Sequence, residues 1–178
     1  MSLQFLVNNA LKKPAPDSAT ARPAGMAFSY LWQNYITIMV KVLLATLVGT
    51  IVYFLFGWLV FEGILGEYMS ANTTQIAGFK KTETESSMLM LLVSCAAYAL
   101  LLAILLRQWA QVGTFLEGLK MGAVTGLLVA TMTDSYWYST SHFFNGFQPM
   151  LADIAAAGLT VGVMGGAMGW FLGYRDKS

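Results

Sequence analysis

Residues 36–61 read ITIMVKVLLATLVGTIVYFLFGWLVF, and this stretch decides the fold class because Lys41 is its only charged residue. A helix rises 1.5 Å per residue, so about 20 apolar residues cross the hydrocarbon core of a bilayer. Three further apolar runs, at 87–106, 115–133 and 150–174, meet the same length. Backbone groups inside a bilayer find no water, so such runs must be helical. The sequence predicts an all-α membrane protein, a bundle of four transmembrane helices.

The composition of the whole chain agrees with this prediction. Of its 178 residues, 57% are hydrophobic and only 11% are charged. Soluble domains carry about 25% charged residues, so this chain lacks the polar surface that a water-soluble protein needs. Its formal net charge is +1, and no basic patch stands out, so nucleic acid is not an expected partner. Membrane lipids are the expected surroundings.

The basic residues predict how the chain is threaded. Eight of the ten fall on one side, in the N-terminal segment, the link between the second and third runs, and the C-terminus: Lys12, Lys13, Arg22, Lys41, Arg107, Lys120, Arg175 and Lys177. Only Lys80 and Lys81 fall on the other side. Because cytoplasmic segments carry the excess of lysine and arginine, both termini are predicted to be cytoplasmic. The expected location is a bacterial inner membrane.

The N-terminal 30 residues differ from the rest and are treated as a separate cytoplasmic segment, with 31–178 as the four-helix transmembrane domain. MSLQFLVNNALKK, residues 1–13, fits a short amphipathic helix with two lysines at its end. Such a helix would lie on the anionic inner leaflet or against a partner. A disordered tail is the competing interpretation. The following PAPDSATARPAG, residues 14–25, is typical of a linker.

Two rows of small residues run along the third and fourth spans. One consists of Gly118, Gly122 and Gly126, and the other of Gly158, Gly162, Gly165, Gly169 and Gly173. Lipid tails give no hydrophobic drive for helices to associate, so close backbone approach at small residues is what stabilises their packing. The simplest interpretation packs the third span against the fourth. The second interpretation turns a row outward, towards another copy or another membrane subunit.

Polar residues near the outer ends of the spans form the candidate site: Asp134, His142, Glu62 and Asp153. Asp153 follows Pro149 at the start of the fourth span, where the helix dipole stabilises a carboxylate. Asp134 lies at the predicted C-terminal end of the third span, where the dipole disfavours an anion. Capping or exposure to solvent is the simpler interpretation of Asp134. A functional polar site is the alternative.

The sequence contains no recognisable catalytic or ligand-binding motif. There is no nucleophile elbow, no phosphate-binding loop and no metal-ligand spacing such as HExxH. One cysteine, Cys95, and one histidine, His142, leave no set of residues for an iron–sulfur cluster or for a haem with two imidazoles. We therefore expect neither an enzyme nor a bound cofactor or metal.

Three segments resemble a family of small four-helix bacterial membrane proteins that is catalogued only as a domain of unknown function. They are YFLFGWLVFEGILGEYM at 53–69, GLKMGAVTGLLVATMTDSYWY at 118–138 and QPMLADIAAAGLTVGVMGGAMGW at 148–170. The resemblance covers about residues 36–174 and implies a bacterial inner-membrane protein, without implying an activity. The link STSHFFNG at 139–146 and the N-terminal extension depart from the pattern of that family.

Two functions follow from these features as expectations. The first is a non-enzymatic membrane protein that acts through helix–helix contacts, either as a homo-oligomer or as an accessory subunit of a membrane assembly. The second is a small proton- or ion-linked permease or channel with an acidic outer mouth.

Overall fold

The computed structural model of the chain describes residues 24–76, 81 and 85–176. Within these residues five α-helices follow one another: α1 at Ala24–Trp58, α2 at Gly66–Asn72, α3 at Met88–Ile104, α4 at Phe115–Thr140 and α5 at Phe147–Asp176. Short π-helical segments, Leu59–Ile64 and Leu105–Trp109, extend α1 and α3. The predicted amphipathic helix at 1–13 lies outside the described residues. By contacts the chain divides into Met1–Ile36 and Thr37–Ser178, and the described part of the first unit is helical.

Four helical stretches are long and apolar enough to cross a membrane, as the sequence predicted. They are Tyr35–Ile64, Met88–Trp109, Phe115–Thr140 and Phe147–Tyr174. No strand forms among the described residues, where the sole β-type pairing is an isolated bridge between Thr73 and Phe144. The protein is therefore an all-α, multi-pass membrane protein. Large apolar side chains remain exposed on the spans, including Leu43, Leu47 and Leu55 of α1, as expected of faces that contact lipid.

α5 is the central helix of the bundle. Of its most apolar window, 56% is buried, against 28% or less in each of the other three spans. Met164, Met168 and Leu172 of α5 are fully buried and pack with Leu102 of α3 and with Leu106 of the π-helical segment that extends α3. Val42 and Ala45 of α1 join the same cluster. These apolar side chains fill the half of the bundle that the sequence assigns to the cytoplasmic side.

Local signals in the sequence explain where α3 and α4 begin. The Ser87 hydroxyl accepts a hydrogen bond from the Met90 amide, and the Thr114 hydroxyl accepts one from the Glu117 amide. The Glu117 carboxylate in turn accepts a hydrogen bond from the Gly113 amide. Such reciprocal bonds satisfy amide groups that a helix start leaves without partners.

The predicted end of the third span is wrong by about two turns. The apolar run stops at 133, but α4 continues to Thr140, and the link to α5 contains only residues 141–146 rather than 134–149. Because the helix continues, the aromatic residues Tyr136, Trp137 and Tyr138 belong to α4. Tyr138 packs against Phe147 at the start of α5. Tertiary packing at this end outweighs the polar composition that suggested a stop.

Candidate functional site

α4 and α5 pack with their backbones in direct contact along the two glycine rows. A Cβ atom added to Gly126 would lie 2.8 Å from the Ala157 carbonyl oxygen, and one added to Gly169 would lie 2.6 Å from that of Thr114. Gly118 and Gly165 face each other even more closely. Both rows are therefore occupied within this chain, which is the first of the two interpretations of the glycine pattern. Association with another copy or subunit stays a prediction.

The row on α4 continues into the acid. Gly118, Gly122, Gly126, Ala130 and Asp134 recur every four residues, and all five are buried. Residues four apart share one helix face, so Asp134 points at α5 along with the glycines. Its exposed fraction is only 7%. Exposure to solvent or capping at a helix end, the simpler interpretation of Asp134, is wrong because the helix continues for six more residues.

Asp134 meets Asp153 of α5. Their carboxyl groups lie close enough to share a hydrogen bond, and such a bond would require a proton on one of them because an ionised carboxylate can only accept. The Asp134 Oδ2 atom is buried and has no hydrogen-bond partner among the described residues. Two like charges in such proximity repel by roughly 4 kcal/mol at an effective dielectric constant of 20. The arrangement therefore suits a pair that holds one proton.

Asp153 lies just after the first turn of its helix, as the sequence predicts, because α5 begins at Phe147 and Pro149 lies in the first turn. Its side chain is half-buried. The helix dipole acts mainly within the first turn. The surroundings of Asp153 are therefore set by its contact with Asp134 more than by the start of the helix.

Tyr53 of α1 lies near the carboxyl pair, within electrostatic range of Asp153. Its ring meets the Tyr98 ring of α3 edge to face, with centroids 5.4 Å apart, and Cys95 of α3 also lies near Tyr53. Among the described residues the buried Tyr98 hydroxyl has no hydrogen-bond partner. Sequence reasoning missed Tyr53 and Tyr98 because tyrosines in apolar runs look like ordinary interfacial residues.

A cavity of about 520 Å³ leads from the predicted outer side to Asp153. Its charged lining residues are Glu62, Lys81 and Asp153, and its apolar ones include Phe61, Met69, Ile76 and Phe143. Glu62 lies in the π-helical segment Leu59–Ile64. Single π-helical turns are frequent at functional sites, since the extra residue changes the direction of a side chain. Lys81 was missed as a site residue, although it stands on the side predicted to be poor in lysine.

The two predicted outer links are joined above this cavity. The Thr74 amide donates to the Phe143 carbonyl at 2.8 Å, and the Asn145 amide donates to the Asn72 carbonyl at 2.9 Å. The Thr74 hydroxyl contacts the His142 carbonyl. Thr73, Thr74 and Phe143 therefore form one wall of the cavity.

The four candidate residues are thus only partly brought together. Asp134 contacts Asp153, and Asp153 shares the cavity with Glu62. The side chain of His142 is exposed and is not part of the cavity lining. Within the described ranges no three histidine, cysteine, aspartate or glutamate side chains are close enough to hold a metal ion.

Comparisons of this chain with protein-family models, with curated proteins and with solved structures give no match. The resemblance to the four-helix family therefore stays an expectation, and the function has to be argued from the site itself.

Proposed function

We propose that this protein is a small, non-enzymatic, proton-linked permease whose proton-binding site is the carboxyl pair of Asp134 and Asp153. The observation that carries the proposal is the close approach of these two carboxyl groups inside the spans, with a buried Asp134 oxygen that has no hydrogen-bond partner among the described residues. Ionisable side chains are expensive within a membrane and there commonly serve proton or ion pathways.

A proton is the ion that this donor set fits best. Calcium takes six to eight oxygen ligands, and magnesium requires an octahedral shell. The pair offers two carboxyl groups, and no third acid or histidine joins them among the described residues. One proton shared by two carboxyl groups removes the repulsion between them without further ligands. The cavity that reaches Asp153 provides the route by which protons arrive from the outer side.

Passage to the opposite side requires the helices to move. The inner half of the bundle is filled by the fully buried Met164, Met168 and Leu172. Transporters open such a closed half of the bundle by rocking one group of helices against another. α4 and α5 are packed through backbone contacts and would move as one unit, whereas α1 and α3 contact α5 through flexible side chains such as Met168.

Proton passage can be measured with the full-length protein in lipid vesicles that contain a pH-sensitive dye, with the membrane potential clamped. Lowering the external pH should acidify vesicles that contain the protein faster than empty ones. We expect Asp134→Asn to slow this acidification by about ten-fold or more, since a carboxamide cannot exchange the proton. Glu67→Gln changes an exposed acid outside the cavity and should leave the rate unchanged. Equal rates for Asp134→Asn and the unmodified protein would refute the proposal.

The predicted orientation, with both termini in the cytoplasm of a bacterium, belongs to the same proposal. It places the cavity on the periplasmic side. Cysteines introduced at Lys81 and at Ala110, both exposed, test it in whole cells. A membrane-impermeant maleimide should label Lys81→Cys and leave Ala110→Cys unlabelled until the cells are broken. The native Cys95 is buried and gives the background. Labelling of both positions in intact cells, or of Ala110→Cys alone, would contradict the orientation.

A role as an accessory subunit or homo-oligomer stays a prediction, and no structural observation supports it. The glycine rows that motivated it are occupied by the contact of α4 with α5.

A further inference from the structure

The cavity beside the carboxyl pair is larger and more apolar than a proton pathway requires. Its volume of about 520 Å³ falls in the range of pockets that bind small organic molecules. A proton or a hydrated metal ion needs no apolar walls, yet Phe61, Met69, Ile76 and Phe143 line this cavity. Phe143 is held in place by Phe144, with ring centroids 4.9 Å apart, and by Trp137 at 6.1 Å.

The charged residues that line the cavity determine whether it favours a cation or an anion as ligand. Glu62 contributes one negative charge and Lys81 one positive charge, and the carboxyl pair with one proton contributes one negative charge. The sum is a single negative charge, so the cavity favours a cation over an anion. Aromatic rings attract cations through the negative potential of their faces, and quaternary ammonium groups are bound in this way in proteins.

Asp134 links binding in this cavity to the proton that the carboxyl pair shares. It is more than nine-tenths buried and lies close to Asp153, which lines the cavity. Its Oδ2 atom has no hydrogen-bond partner in the part of the chain that the structure describes. A positive charge arriving at Asp153 stabilises the ionised form of both carboxyl groups, so it can replace the shared proton there.

We propose that the cavity binds a small organic monocation with an apolar substituent, an amine or quaternary ammonium compound. Its charge lies at Asp153 and its apolar part contacts Phe61 and Phe143. This inference rests on the proposed permease function: the site passes protons when no organic cation is present, and the cation competes with the proton for the site. One cation binds from the outer side as one proton leaves the carboxyl pair, so that the charge of the site is unchanged.

Benzyltrimethylammonium is a suitable probe because its nitrogen carries no proton, so any proton released on binding comes from the protein. Calorimetric titration of the full-length protein in detergent, repeated in two buffers of different ionisation enthalpy, counts that proton. We expect one probe bound per chain and about one proton released. Benzyl alcohol and benzoate, which share the ring but lack the positive charge, should bind far more weakly.

Variants assign the binding to this cavity. Asp153→Asn should weaken binding of the probe by at least about thirty-fold, because the charge partner is lost, and Phe61→Ala should weaken it to a smaller extent. Glu67→Gln should bind as the unmodified protein does. Absence of binding, equal affinity for benzyl alcohol, or unchanged affinity in Asp153→Asn would overturn the inference.

The vesicle assay without the probe separates the two proposals. Proton passage that depends on Asp134, together with no binding of the probe, refutes the organic cation alone. Binding of the probe with proton release, together with no proton passage, refutes the permease alone.

Discussion

Gly165→Ala is expected to destabilise the protein by at least about 3 kcal/mol, although it adds a single methyl group. The new Cβ atom would overlap the carbonyl oxygen of Gly118 and lie 3.0 Å from the Cα atom of Gly122. Both obstacles are backbone atoms, which cannot rotate away as a side chain can. α4 and α5 would have to separate along their length, and membrane helices depend on this close approach for their association. Thermal unfolding in mild detergent, followed by fluorescence or by loss of monodispersity, measures the effect.

Gly57→Ala is the matched control, since it makes the same change in another span. The nearest atom to its new methyl group would be the Thr160 Cγ2 atom at 3.7 Å, an ordinary contact. Alanine is a better helix former than glycine by up to about 1 kcal/mol, so this variant should be as stable as the unmodified protein or more stable. If Gly165→Ala instead left the folded monomer intact and abolished an oligomer, the row would face outward and the packing of α4 on α5 would be wrong.

Replacing both carboxyl groups by leucine, in Asp134→Leu with Asp153→Leu, is expected to stabilise the protein by about 2 kcal/mol and to abolish proton passage. Leucine branches at Cγ as aspartate does but is larger, and the added volume at position 153 can extend into the cavity that Asp153 lines. Removing both partners of a buried polar contact leaves nothing unsatisfied, and it eliminates the Asp134 oxygen that lacks a donor. Unfolding in detergent gives the stability, and the vesicle assay gives the function.

This pair of results would separate a functional site from a structural one. A contact retained for stability should be costly to remove, whereas groups retained for function can reduce stability. Glu67→Leu, at an exposed position on α2, controls for the general effect of losing an acid in this part of the protein. A double leucine variant that unfolds more readily than the unmodified protein would identify the carboxyl pair as part of the scaffold.

The glycine rows show how far the sequence carries the argument. Their spacing of three and four residues was visible, and so was the requirement for a close backbone neighbour. Which neighbour they contact was not, because a small residue looks the same whether it faces its own chain or another. The register of α4 against α5 brings Gly118 to Gly165 and Gly126 to Ala157, and that register is a property of the packed pair.

The carboxyl pair shows where sequence reasoning stops. Asp134 was singled out for its unfavourable place near a helix end, and Asp153 was explained by the start of the next helix. The interpretation of Asp134 depended on a helix end taken from local composition, and α4 extends to Thr140 instead.

The sequence by itself determined the class of the protein and the approximate position of each span. The reason is that insertion into a bilayer depends on the hydropathy of some 20 consecutive residues, which is a local property of the sequence. The tertiary structure alone decided that the glycine row on α4 ends in a buried acid facing another acid. That contact depends on the relative depth and rotation of two packed helices, and these follow from the backbone contacts between them.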